Sequence, residues 1–298
     1  MEAKAFGRAL LGLLILGLTL ACGLAGLERV AIPLPSAEPF STLEALFTPE
    51  ALSTPETVST PIPWPTSTPL TPDTGWQLVR PGMEVRSLNV PVEPNMERIT
   101  MVRIDPADLR IRVLYQPGAG YPVSAWAQQT GALLVVNGGY FTPEKLVTGL
   151  TISDGERYGT AYGDYAGMLA VTHDETVSVR WLREWPYDPQ EPLREAIQSF
   201  PVLVKPGGIM GFPADGDDGR SSRRTVVGQD HEGRLLLLIA PRGYLSLHQL
   251  STWLAGSDLN LNTALNLDGG TSSGLWMPAG PQIDSMIPVP VAIAVMLP

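Results

Sequence analysis

Asp268 lies in Asn266-Leu267-Asp268-Gly269-Gly270-Thr271-Ser272-Ser273, where the apolar run Thr263-Ala264-Leu265 ends in a carboxylate, two glycines and three hydroxyls. This reads as a strand entering a sharp turn, with Gly269 and Gly270 free to take φ > 0 and to let a ligand approach the backbone. A carboxylate there serves as base, nucleophile or ligand, or else as a turn-forming aspartate bonded to its own backbone. Ser272 and Ser273 orient a substrate oxygen or cap the turn; they do not match the Gly-x-Ser-x-Gly nucleophile elbow. A second apolar run, Leu133-Leu134-Val135-Val136, ends in Asn137-Gly138-Gly139-Tyr140-Phe141. Asn137 supplies an amide, and Gly138 and Gly139 supply backbone N–H groups suited to an oxyanion or phosphate. The segment has neither the Gly-Lys-Ser/Thr of a P-loop nor the glycine spacing of a dinucleotide site. Tyr140 stacks on a sugar face or packs in the core. In Ser221-Ser222-Arg223-Arg224-Thr225, two guanidinium groups precede an apolar strand, and arginine is the planar, always-charged partner of phosphate or carboxylate. For Arg223 the plainer reading is a solvated loop residue.

Other constellations are weaker. Asp215-Gly216-Asp217-Asp218-Gly219 resembles half a calcium loop, but Thr225 stands where its glutamate is expected. A flexible acidic loop is the leading reading, with a divalent cation, calcium, as the alternative and no other cofactor expected. His173, His231 and His248 have no metal-ligand spacing. A net charge of −10 and a pI near 4.8 argue against nucleic acid as a general partner.

These residues need elements to position them. Lys4 and Arg8 precede an uncharged run from Ala9 to Leu20, then Ala21-Cys22-Gly23. Residues 1–22 thus read as a lipoprotein-type signal peptide with lipidation at Cys22, or as a plain membrane anchor, since the uncharged run continues to Leu27. Either expectation puts the protein outside the cytoplasm, lipid- or membrane-anchored at the cell surface. Cys22 is the single cysteine, so no intramolecular disulfide is expected. Residues 23–75 read as a Pro/Ser/Thr-rich tether, and residues 76–298 as the folded domain. Strand patterns recur from Arg98–Ile104 to Val289–Met296, with Asp105–Asp108 expected to connect a hairpin. Ser246-x-x-Gln249 reads as a capping box opening a helix that Gly256 ends; Val123–Gln129 and Pro192–Ile197 are shorter helix candidates. The expected class is α+β, with mixed, largely antiparallel β-sheets and a few flanking helices.

The ordered set Val136–Phe141, Gly149–Gly155, Ser199–Val204, Arg224–Gly228 and Asn266–Ser273 resembles the phosphodiester glycosidase family, over roughly Trp76 to Pro298. Thr271 and Phe200 depart from it, since the family carries glycine at the first position and often at the second. The resemblance implies hydrolysis of a sugar-1-phosphodiester bond in envelope or extracellular polysaccharide, releasing sugar and a phosphomonoester. It implies catalytic roles for Asp268, Arg224 and Asn137. Gly138, Gly139, Tyr140, Asp154, Thr225, Gly269, Gly270, Thr271, Ser272 and Ser273 would contact a glycan or sugar-phosphate substrate, with Asp154 the weaker candidate for a second carboxylate. The competing expectation is a non-catalytic polysaccharide-binding or exopolysaccharide assembly protein on the same fold.

Overall fold

The computed structural model describes residues 71–163 and 166–298. The signal segment, Cys22 and the tether up to residue 70 lie outside the described residues. Leu235–Ala240 is buried at every position, so it must be covered on both faces, as a continuous apolar run requires. It lies inside an eight-stranded sheet ordered Gln77–Arg80, Met83–Val92, Asn95–Ile104, Leu235–Ala240, Arg224–Asp230, Leu261–Asn266, Val202–Lys205, Ile209–Met210. Leu235, Leu237 and Ile239 enter the main core. Leu236 and Leu238 face the other way, against Leu250 and Leu254 of the helix Leu247–Gly256. That helix opens with the expected capping box between Ser246 and Gln249.

A second sheet has the order Gln282–Ile283, Leu275–Trp276, Leu134–Asn137, Val291–Met296, Arg110–Tyr115. The helix Val123–Thr130 covers its outer face, where Val135, Ala292 and Ala294 point. The third sheet runs Glu156–Tyr158, Thr151–Ser153, Leu193–Ser199, Gly167–Thr172, Val177–Trp181. The main core joins all three sheets, with Val227 and Leu237 from the first, Val136 and Ile293 from the second, and Leu169 and Ile197 from the third.

The fold is more strongly β than the α+β expectation, because two of the three sheets each receive one helix and the core is built by sheets meeting sheets. Every pairing between these strands is antiparallel, and the isolated bridge Gly149–Thr160 is parallel. Leu193–Ser199, which overlaps the expected helix at Pro192–Ile197, is a strand between two partners. Burial on the sheet overrides the helix propensity of Leu, Glu and Ala. Asp105–Asp108 is a crossing between sheets and not a hairpin: Asn95–Ile104 pairs with Leu235–Ala240, whereas Arg110–Tyr115 pairs with Val291–Met296.

Candidate active site

The C-terminal ends of Leu134–Asn137, Leu261–Asn266 and Leu193–Ser199, one from each sheet, converge on the residues singled out by type. Asn137 is fully buried. Its Nδ2 donates to the Asp268 carbonyl (2.7 Å), while its Oδ1 accepts from Thr225 Oγ1 (2.7 Å) and Gly274 N (3.0 Å). Asn137 therefore fastens the second sheet to the first and fixes the backbone of Asp268, and its amide is committed to that task. Thr225 is equally buried, with its hydroxyl spent on Asn137.

Asp268 and Arg224 flank the end of one antiparallel pairing. Val226 pairs with Asn266 and Val227 with Leu265, and Leu267 N reaches Thr225 O at 2.9 Å. Beyond this point Asp268 N turns away to Gly138 O (3.1 Å), and what the two charged side chains share is Tyr140, whose hydroxyl feels both. Asp268 is half-buried. Burial raises its pKa above the ordinary carboxylate value, opposed by a hydrogen bond from Ser272, the Gly269 N–H (2.8 Å) and the charge of Lys145. Arg224 donates to the carbonyls of Leu245 (3.3 Å) and Arg220 (2.7 Å); it forms no salt bridge among the described residues, though the charges of Asp217 and Asp218 act on it. Burial presses its pKa down, yet a guanidinium keeps its charge. It is therefore a half-buried cation held by carbonyls and partly offset by the acidic loop.

Tyr140 lies between the two. Its hydroxyl donates to Phe200 O (3.0 Å) and accepts from Asn266 Nδ2 (2.8 Å). Burial raises its pKa, the charge of Asp268 adds to the shift, and that of Arg224 opposes it. Its ring packs on Phe200 at 4.8 Å between centroids.

The glycines act differently from the reading of their sequence. Gly270 takes φ +62°, but Gly269 has φ −125°, and neither Gly138 nor Gly139 is in the left-handed region. A Cβ on Gly138 would meet Val291 at 2.9 Å and one on Gly139 would meet Ile197 at 3.0 Å, so Gly138 permits close approach of the neighbouring strand in its own sheet and Gly139 that of the third sheet. The Gly138 amide is bound to Val291 O (2.9 Å). The Gly139 amide has no protein acceptor among the described residues.

The other candidates divide. Ser272 is buried beside the Asp268 carboxyl. Ser273 is buried with its hydroxyl unpartnered, and its carbonyl accepts from Arg223 (2.7 Å). Arg223 is thus a half-buried clamp, also holding Asp284 O (3.1 Å), and not a solvated loop residue. Thr271 is exposed, and its carbonyl accepts from Met286 N (2.8 Å). Asp154 stands apart, in a turn with φ +49°, its exposed carboxylate paired with Arg194 at 3.2 Å. In the acidic loop, Asp217 accepts from Ser246 (2.5 Å) and Asp218 faces Arg220 (3.4 Å). Among the described residues no group of three or more His, Cys, Asp or Glu side chains is placed to hold a metal ion. Asn266 and Lys145 complete the site and escaped residue-type reasoning. Asn266 was visible inside its motif, whereas Lys145 sits in a turn with no periodicity to mark it.

A half-buried carboxylate and a half-buried arginine, both acting on Tyr140 where three antiparallel sheets meet, form a polar site on a β-fold. The model of the phosphodiester glycosidase (NAGPA) family matches residues 130–296, and the chain belongs to that family. The catalytic domain of zebrafish N-acetylglucosamine-1-phosphodiester alpha-N-acetylglucosaminidase, auto-inhibited by its pro-peptide, is similar in structure. It has a TM-score of 0.59 and 19% identity over 74% of this chain and 86% of that one. A hypothetical protein from Synechocystis gives a TM-score of 0.54 and 16% identity over 73% and 62% of the two chains. At these identities the likeness is one of fold. No curated protein matches the chain in sequence.

Proposed function

We propose that the protein hydrolyses a sugar-1-phosphodiester bond in envelope or extracellular polysaccharide, releasing free sugar and a phosphomonoester. The observation that supports this reading is the gathering of Asp268 and Arg224 about Tyr140, with Arg224 forming no salt bridge among the described residues. Arg224, helped by the Gly139 N–H, holds the phosphate. A water oxygen attacks the anomeric carbon, its proton passes to the Asp268 carboxylate, and the bond from that carbon to the bridging oxygen breaks. The electron pair leaves on the phosphate. A phosphate monoester has its second pKa near about 6, so it departs without a strong general acid, and the need is charge stabilisation. A carboxylate whose pKa is raised by burial is the better base for water. Asn137 is a positioning residue that holds the Asp268 backbone. Residues 1–75 support a location outside the cytoplasm, tethered to a membrane through Cys22 or an uncleaved anchor, with residues 76–298 as the working domain. Among the described residues no helix is long and apolar enough to cross a membrane.

The test is release of reducing sugar from a synthetic sugar-1-phosphodiester by the purified protein. Asp268→Asn and Arg224→Gln should each lower kcat by about a hundred- to a thousandfold, the usual cost of losing one preorganised charge-stabilising group. Undiminished turnover in both variants would sink the assignment. Glycan binding without turnover would favour the non-catalytic polysaccharide-binding role.

A further inference from the structure

Beside the site lies a cleft of about 380 Å³ lined by Trp181, Arg183, Phe200, Lys205, Gly211 and Phe212. Its composition is unusual for a chain with 30 acidic and 20 basic residues: two cations and three aromatic rings face it, and no carboxylate does. Lys205 Nζ lies 5.0 Å from the centroid of the Trp181 ring and the Arg183 guanidinium 5.8 Å from it. Neither cation has a carboxylate partner among the described residues. The cleft is built into the backbone. A Cβ at Gly211 would meet Val202 O at 2.5 Å, so only glycine lets this wall approach the strand Val202–Lys205, where Gly211 N donates to Leu203 O (2.8 Å). It adjoins the candidate active site through Phe200, which lines the cleft while its carbonyl accepts from Tyr140 and Asn266.

We infer that this cleft is a subsite for an anionic saccharide unit, its ring set against the aromatic lining of Trp181, Phe200 and Phe212 and its phosphate or carboxylate held by Lys205 and Arg183. Flat aromatic faces favour the C–H face of a pyranose and the rim cations favour its charge, so neutral sugars and apolar peptides each satisfy only half of the lining. The inference rests on the proposed function for its direction, since it makes the substrate an acidic glycan extending from the bond that is cut. It stands or falls by binding.

The experiment uses the full-length protein, with calorimetric titration of three oligosaccharides of equal length: one of repeating sugar phosphates, one of uronic acids and one neutral. At least one anionic oligomer should bind about tenfold or more tightly than the neutral one, and should lose affinity with added salt. Whichever of the two binds identifies the charged group. Trp181 also packs against the core, so Trp181→Ala is paired with the charge reversal Arg183→Glu/Lys205→Glu, which leaves the core untouched. Trp181→Ala should weaken the binding of neutral and anionic oligomers alike, whereas the charge-reversed variant should lose the anionic preference while turning over a short sugar-1-phosphodiester at the parent rate. Equal affinity for neutral and anionic oligomers, or unchanged anionic affinity in the charge-reversed variant, overturns the subsite. Failure of the catalytic reading looks different: no turnover of any phosphodiester, with the cleft's selectivity intact.

Discussion

At the scale of the residue, the functional burden falls on a few side chains whose surroundings differ sharply. Asp268 is pushed by burial toward its protonated form, and Ser272 with the Gly269 N–H pulls it back. If Asp268 takes the proton from water, the acid limb of kcat/KM reports its ionisation in the free enzyme. That limb should therefore lie above the ordinary carboxylate value of 3.8. Ser272→Ala removes a hydrogen bond to the charged form, so a pH–rate profile of this variant should show the limb displaced upward. A downward displacement would contradict the role given to Ser272. Residue types singled out Asp268, Arg224 and Asn137 as candidates, and the family resemblance implied catalytic roles for them. They did not indicate that the Asn137 amide and Thr225 hydroxyl are consumed by each other. That contact spans 88 positions, a distance no local spacing encodes.

At the scale of the element, the site depends on how strands of different sheets are held together. Glu195, fully buried on Leu193–Ser199, accepts from Val113 N (3.1 Å) of the second sheet and from Asp154 N (3.2 Å). Burial pushes its pKa up to about 7, against those two N–H groups and the charges of Arg112 and Arg194. The folded state therefore binds a proton that the unfolded chain, near 4.5, has already released. Glu195's contribution to stability is full below the unfolded pKa, falls as pH rises through this window, and is level above it. Urea unfolding of the protein and of Glu195→Gln across this range should give a steeper decline for the parent; parallel curves would refute the account. Strand positions were legible where runs such as Leu235–Ala240 are continuously apolar, and the capped helix at Ser246 was legible from local chemistry. Leu193–Ser199 was not, because two flanking strands distant in sequence decide its conformation. The glycines at 138 and 139 misled for the same reason, since what they make room for is Val291 and Ile197.

At the scale of the whole molecule, three antiparallel sheets share one core and bring their strand ends to one place, so the chemistry sits on a frame and not on a mobile loop. A chain of net charge −10 repels anions at long range. In the proposed reading, Arg224 in the site and Lys205 with Arg183 in the cleft are local exceptions that select where an anion settles. The order of apolar runs and polar-Gly-Gly ends made this architecture partly readable, while the closure of sheet on sheet was not. The central claim is that this frame directs water to the sugar carbon rather than to phosphorus. Turnover of a sugar-1-phosphodiester in water enriched in heavy oxygen tests it by mass spectrometry of both products. The label should appear in the anomeric hydroxyl of the released sugar, with the phosphomonoester unlabelled. Label in the phosphomonoester, meaning cleavage between phosphorus and oxygen, would contradict it.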